Sequence, residues 1–195
     1  MRTANIYRKT KETEVRVEIN LDGSWEYQIE TGIGFFDHML AQIAVHGLID
    51  LAISATGDLD VDSHHTTEDC GLCLGSAVAE ALGNRKGIVR TASVFVPMDE
   101  ALCQAVVDFS GRPYFECKPN WSYQMVGGIP VTQIEHFFQS FAVTSAANLH
   151  LICQYGNDNH HMAEGMFKAF GRAVATAVTL DPRRQGQVPS SKGVL

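Results

Sequence analysis

His64-His65-Thr66-Thr67-Glu68 and His160-His161-Met162-Ala163-Glu164 are one pattern written twice. An acid–His pair precedes each copy: Asp37-His38 stands 26 residues before His64, and Glu135-His136 stands 24 before His160. Six of the eight histidines fall in this constellation, so any account of the chain has to begin there. On an α-helix, successive side chains are about 100° apart. Adjacent histidines therefore point to different sides, whereas His64 and Glu68, four residues apart, share a face, as do His160 and Glu164. Each such pair can hold one metal ion while His65 and His161 reach another. With His38 and His136 added, the reciprocal solution is two sites of three His and one Glu each. A set so rich in nitrogen suits Zn, Mn, Fe, Co or Ni better than Mg or Ca. Four protein ligands leave open positions on a six-coordinate ion, as catalysis requires. His150, outside the pattern, reads as a structural residue.

The duplication extends outward from the histidines. Residues 14–21 alternate polar and apolar, the period of a strand. Asp22-Gly23 is a turn signal, and Trp25, Tyr27 and Ile29 resume the alternation, so the stretch reads as a β-hairpin. Residues 101–109, a turn at Ser110-Gly111 and residues 113–117 form its counterpart. Glu12 stands eleven residues before Gly23, and Glu100 eleven before Gly111. A short helix follows in each half, near 35–46 and 132–146, then a short apolar strand near 48–55 and 149–154. A longer helix opening on the His-His pair comes last, with Ser63 and Asn159 as expected N-caps. Gly83 ends its first copy and Asp181-Pro182 bounds the second. Met162, Met166, Phe170, Ala173 and Ala177 recur at helical spacing as its buried stripe.

The expectation is an α+β sandwich made from two β-β-α-β-α halves, residues 1–90 and 91–181, with room for a further strand in each. Neither half has enough hydrophobic face alone, so two sheets with helices packed between or against them is the economical arrangement. Residues 182–195 read as a polar, basic tail.

Composition narrows the function classes. A net charge of −7 argues against a nucleic-acid footprint. No apolar run approaches the ~18 residues of a membrane span. Residues 1–11 lack the apolar centre of a secretory signal. Five cysteines, an odd number, suggest reduced thiols in a cytoplasm-like compartment. Cys70-Gly71-Leu72-Cys73 has redox or zinc spacing, but it lies inside the long helix among apolar neighbours and reads as two buried thiols.

Four segments carry a family resemblance: Thr31-Gly32-Ile33-Gly34-Phe35-Phe36-Asp37-His38-Met39-Leu40; residues 62–69; Glu135-His136-Phe137-Phe138-Gln139-Ser140; and Asp181-Pro182-Arg183-Arg184 through Pro189-Ser190-Ser191-Lys192-Gly193-Val194-Leu195. In order and spacing they resemble imidazoleglycerol-phosphate dehydratase. The resemblance implies a hydro-lyase of L-histidine biosynthesis that converts D-erythro-imidazole-glycerol phosphate to imidazole-acetol phosphate. It implies two Mn(II) ions per active site, a ribosomal protein S5 domain 2-like fold, and an octahedral homo-oligomeric 24-mer with active sites between subunits. No second, phosphatase-like domain is evident, so a single activity is expected.

Carried over by motif, one metal takes His38, His65, His160 and Glu164, and the other takes His64, Glu68, His136 and His161. Glu12 resembles the family's acid–base glutamate. Arg90, Arg112, Ser190, Ser191 and Lys192 resemble its phosphate-binding set, and Gln42 and His46 lie in a segment that lines its substrate site. Read without the resemblance, the tail is a solvated end, Glu12 a solvated carboxylate, and His46 a helix C-cap beside Gly47. Residues 91–95, Thr-Ala-Ser-Val-Phe, depart from the glycine expected soon after Arg90.

The reaction that the resemblance implies would use a pair of metals. The substrate C–H to be lost is not acidic, because no carbonyl adjoins it. An imidazole bound at both ring nitrogens can be held as an imidazolate. That ring can expel the neighbouring hydroxyl, giving a diazafulvene with an acidic C–H next to its new exocyclic bond. Loss of the proton to a base such as Glu12 gives an enol that ketonises. A metal-storage or assembly protein needs neither Glu12 nor a phosphate clamp, and a dinuclear metallohydrolase usually leans on bridging carboxylates.

Overall fold

The computed structural model describes residues 1–195. Polar–apolar alternation builds its strands. In β2 (Thr13–Asn20), Val15, Val17 and Ile19 are buried while Glu14, Arg16 and Glu18 face solvent. β4 (Asp50–Gly57), β6 (Ala101–Asp108) and β10 (Asn148–Tyr155) repeat that alternation. β1 (Thr3–Lys9) and β3 (Tyr27–Glu30) complete a first sheet of order β1-β2-β4-β3. β5 (Thr91–Met98) and β7 (Tyr114–Lys118) complete a second of order β5-β6-β10-β7. The two sheets thus share one topology: the third strand of each is parallel to its neighbour, and the other pairings are antiparallel. A two-stranded ribbon, β8 (Met125–Val126) with β9 (Ile129–Pro130), belongs to the second series alone.

The hairpin expectation is corrected here. β2 does not pair with β3, nor β6 with β7. Each pair is separated by the strand that follows the first helix, β4 or β10. The hairpins are β1–β2 and β5–β6, so each half opens with one more strand than β-β-α-β-α. The Asp22-Gly23 signal marks a crossover instead. Asp50 Oδ1 accepts the backbone N–H groups of Ser24 and Glu26, fastening that crossover to the start of β4.

Four helices lie between the sheets: α1 (Gly34–Gly47), α2 (His64–Leu82), α3 (Val131–Thr144) and α4 (Asn159–Val178). α1 and α2 cover the first sheet, α3 and α4 the second, and the layers meet as α2 on α3 and α1 on α4. Each of these two pairs runs in one direction, His136 beside Glu68 and Phe141 beside Gly75, His38 beside Glu164 and Ile43 beside Gly171. Phe36, Phe137, Phe138, Phe141, Phe167 and Phe170 are all essentially inaccessible and pack edge-on or stacked at the centre. The stripe expected on α4 is buried throughout.

Helix ends differ in detail from expectation. Asp158, not Asn159, caps α4, accepting the N–H of His160. Asn159 instead ties down the loop between β7 and β8 by accepting the Ser122 N–H and donating to the Tyr123 carbonyl. Ser63 sits at the cap position of α2 but donates to Gln133, and Asp62 takes the His64 N–H. Cys70 and Cys73 are buried in α2, and burial raises both thiols, Cys73 to about 11. No helix is long and apolar enough to cross a membrane.

Candidate metal centre and substrate site

Both clusters of ligand-type side chains arise where a helix pair begins. In the first, His38 on α1 meets His160 and Glu164 on α4; His38 Nε2 and His160 Nε2 lie 3.3 and 3.1 Å from Glu164 Oε2. In the second, His64 and Glu68 on α2 meet His136 on α3. There the His64 and His136 rings stack at 4.9 Å, and their Nε2 atoms stand 3.9 and 3.4 Å from the Glu68 carboxylate. Within each cluster the three ligand atoms lie within 4.8 Å of one another. His136 Nε2 is buried and, although close to Glu68, makes no hydrogen bond, so it is a donor atom without a partner. Two nitrogens and a carboxylate oxygen converging this closely fit a borderline transition metal such as Mn(II).

The acids of the acid–His pairs have a different task. Asp37 accepts the Thr31 N–H and hydroxyl, and Glu135 accepts the Trp121 indole N–H, so each pins the segment before its helix.

His65 and His161 do not join the clusters of their own chain. The helical angle that brings His64 to Glu68 and His160 to Glu164 swings their neighbours away. His65 Nδ1 lies 3.0 Å from Asp58, with Glu12 3.9 Å from its Nε2. His161 Nδ1 lies 2.6 Å from Glu100, with Asp99 3.8 Å from its Nε2. The carboxylate partners raise both imidazoles above their ordinary range, Asp58 acting on His65 and Glu100 on His161. Glu100 is itself held at about 2, by the Asp158 N–H, the His161 ring and the Asn157 N–H. One chain therefore gathers three members of each expected foursome and turns the fourth away from them.

A polar seam leaves the first cluster between α1 and α4. His38, Gln42 and His46 follow one another at intervals of four on α1, and His160, Glu164, Lys168 and Arg172 do so on α4. Lys168 Nζ donates to Glu164 Oε1 at 2.7 Å. Burial works to raise the Glu164 carboxyl, but Lys168 together with His38 and His160 outweighs it and holds the group below the usual range. Burial, with Lys168 and Arg172 nearby, pushes the His46 imidazole down. His46 is not the C-cap of α1; Leu48 closes that helix in the left-handed conformation. Lys168 and Arg172 were not read as site residues, although their place at successive four-residue steps beyond His160 and Glu164 was the available signal.

The expected phosphate set gathers elsewhere. Arg90 forks onto Asp108 with contacts of 2.6 and 2.9 Å and donates to the Pro189 carbonyl at 2.7 Å, which fastens the tail. The backbone of Leu195 lies against Gly111, next to Arg112, so Ser190, Ser191 and Lys192 hang at the same end of the second sheet. Arg90 itself takes a positive φ of 81°, in the loop where a glycine was expected soon after it. This end is the far one: Thr91 and Asp108 pair there, while Met98 and Ala101 pair beside Glu100 and His161. At ~3.3 Å per residue, the length of β5 puts about 25 Å between the Arg90 cluster and His161.

Residues 31–174 match the family model described as imidazoleglycerol-phosphate dehydratase. The chain is 52% identical over 188 residues to the imidazoleglycerol-phosphate dehydratase of Alkaliphilus metalliredigens, covering 96% of both proteins. It is 49% identical over 195 residues to that of Rhodopseudomonas palustris, covering 100% of this chain and 99% of the relative. Among solved structures, the Pyrococcus furiosus enzyme in complex with (S)-C348 superposes with a TM-score of 0.85 at 34% identity, over 97% of this chain and 100% of that one. The Staphylococcus aureus enzyme gives 0.83 at 34% identity, over 92% and 99%. Matched to this extent in sequence and in three dimensions, the chain belongs to the imidazoleglycerol-phosphate dehydratase family of lyases.

Proposed function

We propose that this chain dehydrates D-erythro-imidazole-glycerol phosphate to imidazole-acetol phosphate in L-histidine biosynthesis, with two Mn(II) ions at each active site. The observation that carries the reading is the pair of three-ligand clusters, each one histidine short, beside two histidines turned away from them. In an assembly of copies, His65 of one subunit completes the His38–His160–Glu164 set of another, and His161 completes the His64–Glu68–His136 set. When bound, the ions held by these residues would supply Lewis acidity that makes the N–H of a substrate imidazole easier to lose.

The remaining roles belong to the protein's own side chains. Glu12 is 57% exposed beside His65 and is placed to carry the substrate proton between carbon and solvent. Gln42 and His46 line the path along the α1–α4 seam. Lys168 and Arg172 make its far end cationic, which suits the substrate phosphate. Arg90, Arg112, Ser190, Ser191 and Lys192 reach that phosphate from a different copy, because in their own chain they lie far from the ligands. Charge-assisted contacts at one end and the ligand clusters at the other orient the reacting carbon toward Glu12. The five free thiols, four of them buried, accord with a reducing compartment such as the cytoplasm.

A turnover assay with imidazole-glycerol phosphate tests the reading directly. Activity is expected to vanish on chelation and to return with Mn(II). Full turnover by metal-free protein would end it.

A further inference from the structure

Asp58 and Glu100 have been assigned no part so far in the proposed reaction, yet each holds one of the two histidines that stand apart from the clusters. Both contacts are made at Nδ1, the ring nitrogen nearer the backbone. Asp58 offers both oxygens to His65 Nδ1, at 3.0 and 3.2 Å. Glu100 offers Oε2 to His161 Nδ1 at 2.6 Å, while its Oε1 accepts the N–H groups of Asn157 and Asp158 at 3.1 and 2.9 Å. A carboxylate accepts and cannot donate, so the proton of each neutral ring must sit on Nδ1. Nε2 is left as a bare lone pair at the tip of the side chain.

We infer that Asp58 and Glu100 are positioning residues that fix the tautomer and direction of His65 and His161, so that each presents Nε2 to a metal ion held by another copy of the protein. The inference rests on the two-metal reading above. Without such a carboxylate, an imidazole on the first turn of a helix, turned away from its own subunit's cluster, divides itself between two tautomers and several rotamers. Outer carboxylates that remove this freedom are typically worth ~10–100-fold in metal affinity.

The two halves reach the same result by different routes. Glu100 occupies the β5–β6 turn, immediately before β6, and Glu12 occupies the matching place before β2. In the second half the turn glutamate holds the ring. In the first half that task falls to Asp58, on the segment after β4, and Glu12 stays uncommitted. Asp58 is thus what leaves Glu12 available for proton transfer.

The test is Mn(II) binding by the full-length protein, read from the electron paramagnetic resonance signal of free Mn(II) during titration of metal-free protein. Asp58→Ala is expected to weaken one of two classes of site ~10–100-fold and leave the other alone. Asp58→Asn, which can still turn a carbonyl oxygen toward Nδ1, is expected to stay within a few-fold of the parent. Glu100→Gln is expected to behave oppositely to that amide. Its carbonyl remains engaged by Asn157 and Asp158, so its NH2 faces Nδ1, moves the ring proton to Nε2 and weakens the other class of site ~10–100-fold. Melting temperatures of the metal-free variants should match the parent. Unchanged affinity in both Asp58→Ala and Glu100→Gln would overturn the inference, as would losses mirrored by lower metal-free melting temperatures. A parent that binds no Mn(II) at all would instead remove the two-metal reading beneath it.

Discussion

The Glu12 carboxylate makes no short contact; the nearest ring nitrogen, on His65, is 3.9 Å away. Glu12→Gln keeps size and removes the base, and kcat is expected to fall ~10²–10⁴-fold with Mn(II) content unchanged. A kcat within a few-fold of the parent would pass the role to another group. Asp50 shows the opposite circumstance. The Ser24 N–H, helped by Asn20 and Glu26, holds its carboxyl below the ordinary range. Its folded pKa is lower than its unfolded one, so the stability it contributes is complete above the unfolded value of ~3.9 and is lost as pH falls through the folded value. The melting temperature of metal-free protein should therefore decline below about pH 4, and less steeply in Asp50→Asn. Parallel slopes in the two proteins would show that Asp50 adds nothing to acid lability. At this scale the ligand pairs His64–Glu68 and His160–Glu164 were legible in the sequence, because helical geometry alone relates them. The contacts of Asp58 and Glu100 were not, because they are made by loops whose closure depends on the sheets.

At the scale of elements, several strands declared themselves through alternation, since the strands of the two four-stranded sheets lie in outer layers with one face toward water. Their pairing did not. A turn signal is local, whereas β2 and β3 are separated by a strand that arrives only after α1. β1 and β5 were hidden for a related reason: each lies at a sheet edge, and β5 carries Pro97. Helix contacts follow a rule that periodicity could not reveal. A Cβ at Gly71 would stand 2.5 Å from the Phe137 carbonyl oxygen, so α2 and α3 can approach this closely only without one. Gly71→Ala should be destabilising by ~1–3 kcal/mol in denaturant titrations, despite alanine's intrinsic advantage of ~1 kcal/mol in a helix. Gly34→Ala, with open space around the new methyl, should be neutral or slightly stabilising. A stabilised Gly71→Ala would mean the helices have room to part.

For the whole molecule, the proposed sites make each metal ion a bolt between subunits, so ligand binding and assembly are linked by mass action. Chelation should turn a very large particle into small oligomers, and Mn(II) should rebuild it, as followed by sedimentation velocity. Equal sedimentation coefficients with and without metal would leave assembly to ordinary protein contacts. The same architecture answers a hazard common to open sheets. Two four-stranded sheets outside a helical layer leave four free edges, β1, β3, β5 and β7, each a template on which a foreign strand could form. Every one is blunted in its own way. β1 bears Arg8 and Lys9, β3 is only four residues long, β5 lacks an N–H at Pro97, and β7 carries Glu116 and ends on Lys118. Growth by lateral strand addition is discouraged along both skins, which leaves side chains and helix ends, His65 and His161 among them, as the surfaces on which the proposed assembly would form.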